Sequence, residues 1–340
     1  MTLFDVNPGN PYSKHARTVA VRMFAAIALF FTGSLCLAQS DLIRLIPPGT
    51  PVLAGLRRTL PGQGDDFLWL ATKNNTGDLQ QFVSITAGDP DRRFDQVIVA
   101  DSLSDTHGPG SHLLLAKGKF NFAAISTTAL GSGVRKSSYK AVPVLILEAF
   151  ASESRGPRWL AVPRPGVALL GSPSAVENAL DRYLSRVAGD PFIVERLRSI
   201  SGHDAAWSSI MLDSSQVESH LNQHGDADVI YPCLRHAREL VLGIRPAADV
   251  KIDMRTTSDS TKDADESLAC LRTALFSNST PVRISFTGGN QHALRATLSR
   301  EAYDRRLSFF RKSMMNQMLE AMTPASEEGA RNSTLVPGAR

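Results

Sequence analysis

The chain has 340 residues, of which 43% are hydrophobic and 21% are charged, and its formal net charge is +4. These values are close to those of globular proteins and exclude a low-complexity chain. No stretch after residue 38 combines clustered Lys and Arg with aromatic residues, so we expect no nucleic-acid partner.

The first feature along the chain is an apolar segment over residues 23–38. It follows the basic residues Lys14, Arg17 and Arg22, and it ends in Cys36-Leu37-Ala38. A basic segment, a short apolar segment and an exit of small residues are typical of a secretory signal peptide. We therefore predict that residues 1–38 form a signal peptide and that the mature protein is periplasmic or secreted. Its removal would lower the formal net charge from +4 to +2.

An uncleaved leader is the alternative. Residues 23–38 would then tether the protein to the inner membrane as an N-terminal helix. A spanning helix needs about 20 apolar residues. Reaching that length here requires Arg22, which is costly inside a bilayer.

Short apolar runs and helical patterns alternate in the first half of the mature chain. Strands are predicted at 52–56, 67–72, 94–102, 112–118, 139–148, 158–163 and 166–172. Helices are predicted at 75–90, 121–130 and 172–187. The last has the clearest pattern, with Ser172 and Pro173 as a start signal and these apolar residues at helical spacing: Val176, Ala179, Leu180, Tyr183, Leu184 and Val187.

The second half continues in the same style. Strands are predicted at 206–213, 240–246 and 249–256, and a hairpin is predicted over 281–299. Helical segments are predicted at 191–200, 214–224, 230–239, 260–276 and from about 299 to 318. The polar tail, residues 323–340, has no periodicity and is predicted to be disordered.

The order of these elements predicts an α+β fold. Tight links between successive strands give antiparallel neighbours, and the helices that follow can cover one face of the sheet. We therefore predict antiparallel sheets, helices on one face and repeated strand–strand–helix units. The order over 94–187 resembles that over 240–318, which suggests two related halves, at 39–190 and 191–322.

Removal of the leader would leave two cysteines, Cys233 and Cys270. In an oxidising compartment an even number of cysteines indicates a disulfide. Its loop of 38 residues, counted from Cys233 to Cys270 inclusive, would be worth roughly 4 kcal/mol on the loop-entropy model. A pair of buried thiols is the alternative.

A second interpretation of the same region is a zinc site formed by His220, His224, Cys233 and His236. The ligand types and the H-x3-H and C-x2-H spacings suit zinc. No Glu follows His220, so the H-E-x-x-H protease motif is absent. A polar helix end with incidental histidines explains the same residues. The zinc and disulfide hypotheses exclude each other, because zinc needs Cys233 as a thiolate.

Two segments invite comparison with serine hydrolases. The stretch Gly171-Ser172-Pro173-Ser174-Ala175 departs from the G-x-S-x-G motif and is interpreted as a helix start. His203 and Asp204 are adjacent in sequence, but triad residues meet through the fold rather than by adjacency. Neither segment predicts an enzyme.

Several segments resemble a group of uncharacterised exported bacterial α+β proteins of unknown function. The segments are "IPPGTPVLAGL", "FDQVIVADS", "GKFNFAAI", "YKAVPVLILE" and "WLAVPRPGVALLGSPSAVENALDRYL". The resemblance covers mainly residues 45–185. It implies an envelope location and an α+β fold, and it implies no catalytic residues.

We therefore expect an exported cell-envelope protein that acts as a non-enzymatic binding or interaction module and uses no cofactor. Its partner would be an envelope protein or ligand whose identity the sequence does not give. The alternative is a zinc-binding protein or metal-dependent hydrolase that uses His220, His224, Cys233 and His236.

Overall fold

Twelve antiparallel strands form one sheet in this computed structural model. The structure describes residues 41–58, 77–89, 93–101, 112–129, 134–148, 157–200, 202–215, 217–218, 231–276, 282–288 and 290–303. The predicted leader at 1–38, the predicted strand at 67–72 and the polar tail at 323–340 lie outside these residues.

The strands are β1 (Val52–Arg57), β2 (Arg93–Asp101), β3 (His112–Lys119), β4 (Val134–Tyr139), β5 (Val142–Leu147), β6 (Arg158–Arg164), β7 (Val167–Gly171), β8 (Ala206–Met211), β9 (Ala237–Arg245), β10 (Asp249–Ser258), β11 (Val282–Gly288) and β12 (Gln291–Ser299). Their order across the sheet is β11-β12-β10-β9-β8-β1-β2-β3-β7-β6-β5-β4. Strands of both predicted halves therefore belong to one sheet, joined where β1 pairs with β8.

The described α-helices are α1 (Gly77–Ile85), α2 (Phe122–Ala129), α3 (Pro173–Leu184), α4 (Pro191–Arg198) and α5 (Thr261–Leu275). Side-chain caps fix three of their starts. Asp190 Oδ1 accepts a hydrogen bond from the Phe192 amide at the start of α4. Asn121 Oδ1 accepts hydrogen bonds from the Ala123 and Ala124 amides before α2, and Ser260 Oγ accepts one from the Asp263 amide before α5. Short 3-10 turns lie at Thr86–Gly88 and Tyr231–Leu234.

Both faces of the N-terminal strands are covered by helices, so the predicted one-faced arrangement is wrong there. Leu56 and Val97 pack with α1 and α2 on what we term the first face. Leu53 and Ile98 occupy the alternating positions and pack with α3 and α4 on the second face. Strands covered on both sides are apolar at nearly every position, as the leucine run of β3 is. In the C-terminal strands, α5 packs on the first face.

The α+β class and the antiparallel pairing are confirmed, but a repeated strand–strand–helix unit is not shown. Within the described residues, two strands separate α1 from α2, four separate α2 from α3, and three separate α4 from α5. The fourth strand between α2 and α3 was not predicted, because the segment predicted as one strand over 139–148 belongs to a hairpin of β4 and β5.

Candidate functional site

Four buried polar side chains lie at the same end of four neighbouring strands. Asp101 is the last residue of β2, His112 is the first of β3, Ser172 directly follows β7, and Arg158 is the first of β6. Their residues are only 4–9% exposed. We call these four residues the rim row.

The β2–β3 register places Asp101 directly opposite His112. The imidazole Nδ1 lies 3.0 Å from Asp101 Oδ2, and the two side chains are 11% and 10% exposed. A carboxylate bonded to one ring nitrogen fixes the orientation of the imidazole and selects the tautomer that carries its proton on Nδ1. The ring is therefore held with Nε2 on the side away from Asp101.

Ser172 continues the row on the other side of His112. The β3–β7 ladder ends at the pair Leu113 and Gly171, and one residue further the Ser172 amide donates to the His112 carbonyl over 3.2 Å. Gly171 makes this approach possible, because a Cβ there would lie 2.3 Å from the His112 carbonyl oxygen.

The side chain of Ser172 shares a face with those of Asp101 and His112. Leu170, two residues earlier on β7, packs on the first face, as do Leu114 and Val97 on the neighbouring strands. Ser172 keeps an extended backbone (φ −61°, ψ 152°), so the alternation continues to it. Its hydroxyl makes no capping hydrogen bond to α3 and lies 3.5 Å from Ser174 Oγ.

Arg158 completes the rim row. The β6–β7 register pairs Trp159 with Gly171, which places Arg158 one residue further, next to Ser172. Leu160, two residues along β6, packs on the first face, so Arg158 lies on that face as well. The row thus brings a carboxylate, an imidazole, a hydroxyl and a guanidinium into adjacent positions, bordered by an apolar layer. Such a set can bind a carbonyl or carboxylate group and move a proton.

The disulfide prediction is confirmed: Cys233 and Cys270 are bonded. The bridge joins the 3-10 turn Tyr231–Leu234, which contains Cys233, to α5, which contains Cys270. Cys233 is buried in the core. The helix predicted over 230–239 is wrong, because this turn is followed by β9, which begins at Ala237.

The zinc hypothesis stays a prediction, because His220 and His224 lie outside the described residues. His236 is exposed just before β9, and Cys233 in its bridged form has no thiolate to offer a metal. Within the described ranges, no group of three or more His, Cys, Asp and Glu side chains could hold a metal ion.

Two other titratable clusters lie elsewhere. His292 Nδ1 is 2.7 Å from Asp265 Oδ1, but that carboxylate is 63% exposed at the surface of α5. Asp204 is buried before β8, and Arg245 donates to its Oδ1 over 3.1 Å. Burial raises the pKa of the Asp204 carboxyl, and the bond from Arg245 opposes that shift without cancelling it. The neighbouring His203 is exposed, so the two do not share a buried site.

Sequence reasoning did not single out Asp101, His112 or Arg158, and it treated Ser172 only as a helix start. Each of the four borders an apolar strand, and that pattern was the available signal. None of the helices in the described ranges is long and apolar enough to span a lipid bilayer. No known protein family, curated protein or solved structure matches the chain.

Proposed function

We propose that this protein is an exported cell-envelope protein that binds a small ligand carrying a carboxylate or ester group at the rim row. The main support for this ligand site is the alignment of four polar residues at one end of four adjacent strands: Asp101, His112, Ser172 and Arg158. Their concentration at one point on an otherwise apolar face is typical of a ligand site.

The chemistry of the rim row suggests which end of a ligand it would hold. Arg158 and the Ser172 hydroxyl can donate hydrogen bonds to a carbonyl or carboxylate oxygen. Asp101 already accepts a hydrogen bond from the imidazole of His112 and keeps that ring in place. The ligand would therefore present its oxygen atoms to the Ser172–Arg158 side of the row.

The envelope location rests on the sequence of residues 1–38 and on the disulfide. Disulfides persist in oxidising compartments and are rare in the cytosol. N-terminal sequencing of the native protein tests the location directly. We expect Gln39 as the first residue; a native product that keeps residues 1–38 and is found in the cytosol would contradict it.

Mass spectrometry under non-denaturing conditions tests the binding. Protein isolated from its native envelope should carry an added small-molecule mass that denaturation releases. We expect Arg158→Met to lose that mass and Ser174→Ala, which changes an exposed serine beside the row, to keep it. A wild-type protein that shows only the polypeptide mass, or an Arg158→Met variant that retains the ligand, would contradict the proposal.

A further inference from the structure

We infer that the rim row is a hydrolytic site for carboxylic esters, in which Ser172 is the nucleophile, His112 is the general base and Asp101 positions the imidazole. This inference rests on the binding site proposed above and departs from the sequence-based expectation of a non-enzymatic protein.

The strand register brings together the three residue types that nucleophilic catalysis by serine uses. A serine nucleophile needs a base beside it and a third group that orients the base. Asp101 holds His112 by its Nδ1, and Ser172 neighbours the same histidine on the opposite side. Side chains directly opposite each other on antiparallel strands have Cβ atoms about 4.5–5.5 Å apart. That separation suits proton transfer from the Ser172 hydroxyl to the imidazole once a substrate has settled in the site.

Ser172 also occupies a position that leaves its hydroxyl available. An N-cap serine usually accepts a hydrogen bond from the amides of the first helical turn. Ser172 does not, and its Oγ lies 3.5 Å from the Ser174 hydroxyl. The first-turn amides of α3 are consequently not used by the serine that begins the helix.

The proposed reaction proceeds in two balanced steps. Ser172 Oγ attacks the ester carbonyl carbon while its proton passes to His112 Nε2. The tetrahedral intermediate then expels the alkoxide, which takes that proton and leaves as an alcohol. Water, deprotonated by His112, attacks the resulting acyl-serine, and the carboxylic acid is released as the proton returns to Ser172.

The residue after the serine favours esters over amides. In many serine hydrolases the amide that follows the nucleophile stabilises the oxyanion. Pro173 occupies that position here and has no N–H to donate. Oxyanion stabilisation is left to the first-turn amides of Ser174 and Ala175, at the positive end of α3. Esters, which are intrinsically more reactive than amides, need less of this stabilisation.

A fluorophosphonate that labels active serines tests the nucleophile directly. With the mature, oxidised protein we expect one adduct per chain, mapped by mass spectrometry to Ser172, together with hydrolysis of p-nitrophenyl acetate. Ser172→Ala should give no adduct and lower the hydrolysis rate by about 100-fold or more. Ser185→Ala is the matched control, because it removes an exposed hydroxyl at the other end of α3; its rate should stay within about two-fold of wild type.

The role of Asp101 has its own readout. Asp101→Asn should lower kcat by about 100-fold or more while KM changes less than about three-fold, because the mutation disturbs the base and not the binding of the ester. A purely structural role would instead change folding stability, followed by circular dichroism, and leave the kcat of the folded fraction unchanged.

Three results would overturn the inference: no adduct on the wild type, an adduct that persists in Ser172→Ala, or equal losses in Ser172→Ala and Ser185→Ala. Failure of catalysis is distinguishable from failure of binding. If the native protein carries its ligand mass but neither labels nor hydrolyses, the catalytic inference fails and the binding proposal stands.

Discussion

The rim row depends on the absence of a side chain at Gly171. Its Cα lies so close to β3 that an added Cβ would fall 2.3 Å from the His112 carbonyl oxygen. That oxygen accepts the Ser172 amide hydrogen bond, so the two strands cannot separate without losing the contact. The close approach of Gly171 to β3 therefore fixes the position of Ser172.

Gly171→Ala should destabilise the fold and displace Ser172. Backbone atoms would have to move, so we expect a loss of about 2 kcal/mol or more in the free energy of unfolding, measured by urea denaturation. Gly166→Ala is the control, because its added Cβ would meet nothing closer than the Gly118 carbonyl oxygen at 3.8 Å. Its effect should stay below about 0.5 kcal/mol. Equal losses in the two variants would show that the contact with His112 is not the cause.

Asp204 illustrates a different kind of packing against glycine. A Cβ at Gly243 would lie 2.4 Å from Asp204 Oδ2, so the absence of a side chain makes room for the carboxyl group. Burial there raises the pKa of Asp204 above its ordinary value of 3.8, although Arg245 and Arg57 pull it down. The ionised carboxylate is thus disfavoured in the folded protein.

This shift gives a pH dependence with a defined sign. Between pH 3.8 and the higher pKa of the folded state, the folded protein binds more protons than the unfolded chain, so the Asp204 contribution to stability falls as pH rises. The difference in unfolding free energy between wild type and Asp204→Asn should decrease over this interval and then level off. Urea denaturation in steps from about pH 3.5 to pH 7 measures it. A difference that grows with pH would mean that the ion pair with Arg245 outweighs burial.

At the scale of elements, local signals predicted the capped helices α2 and α5 better than the β4–β5 hairpin. Asn121 and Ser260 mark the starts of α2 and α5, and both caps form in the structure. The β4–β5 turn has no such signal. Lys140 and Ala141 both adopt positive φ, at 45° and 68°, where Asn or Gly is the usual residue. The turn is held by the strands it joins, so its own residues could not predict it.

The rim row could not be predicted from spacing, although its members could be seen individually. Asp101 and His112 are 11 residues apart, while Ser172 is a further 60 along the chain. Only the register of β2, β3 and β7 places them side by side, and register depends on the packing of the whole sheet face. The cysteines were easier, because removal of the predicted leader would leave two cysteines and therefore one possible pairing.

The disulfide should stabilise the C-terminal elements by constraining the unfolded chain. It connects the turn before β9 to α5 and closes a sequence separation of 37 residues. The paired variant Cys233→Ala/Cys270→Ala should lose roughly 3–4 kcal/mol of unfolding free energy on the loop-entropy model. Urea denaturation with and without dithiothreitol measures the loss.

The double variant is also the control for the reductant. Dithiothreitol should lower the wild-type midpoint toward that of the variant and leave the variant itself unchanged. A wild-type midpoint that does not respond to complete reduction, verified by thiol counting, would contradict a stabilising role for the bridge.

At the scale of the whole molecule, the two halves predicted from the sequence share strands and core. The β1–β8 pairing lies inside the sheet, five strands from one edge and seven from the other. Trp207 and Val241, from the second half, belong to the core cluster formed mostly by the first half on the second face. Ala205 and Ala206, also from the second half, belong to the core cluster on the first face. Hydrophobic contacts that cross the boundary on both faces favour a single cooperative unit.

We therefore expect one unfolding transition for the mature chain, and a core mutation in either half should move all of it. Leu180 of α3 and Leu268 of α5 are both fully buried, in different clusters. Leu180→Ala and Leu268→Ala should each cost about 2–5 kcal/mol. Far-UV circular dichroism and tryptophan fluorescence, followed against urea, should shift together in both variants. If Leu180→Ala instead split the curve into an early step and a step at the wild-type midpoint, the halves would unfold separately, and the shared sheet would not couple the rim row to the disulfide-linked elements.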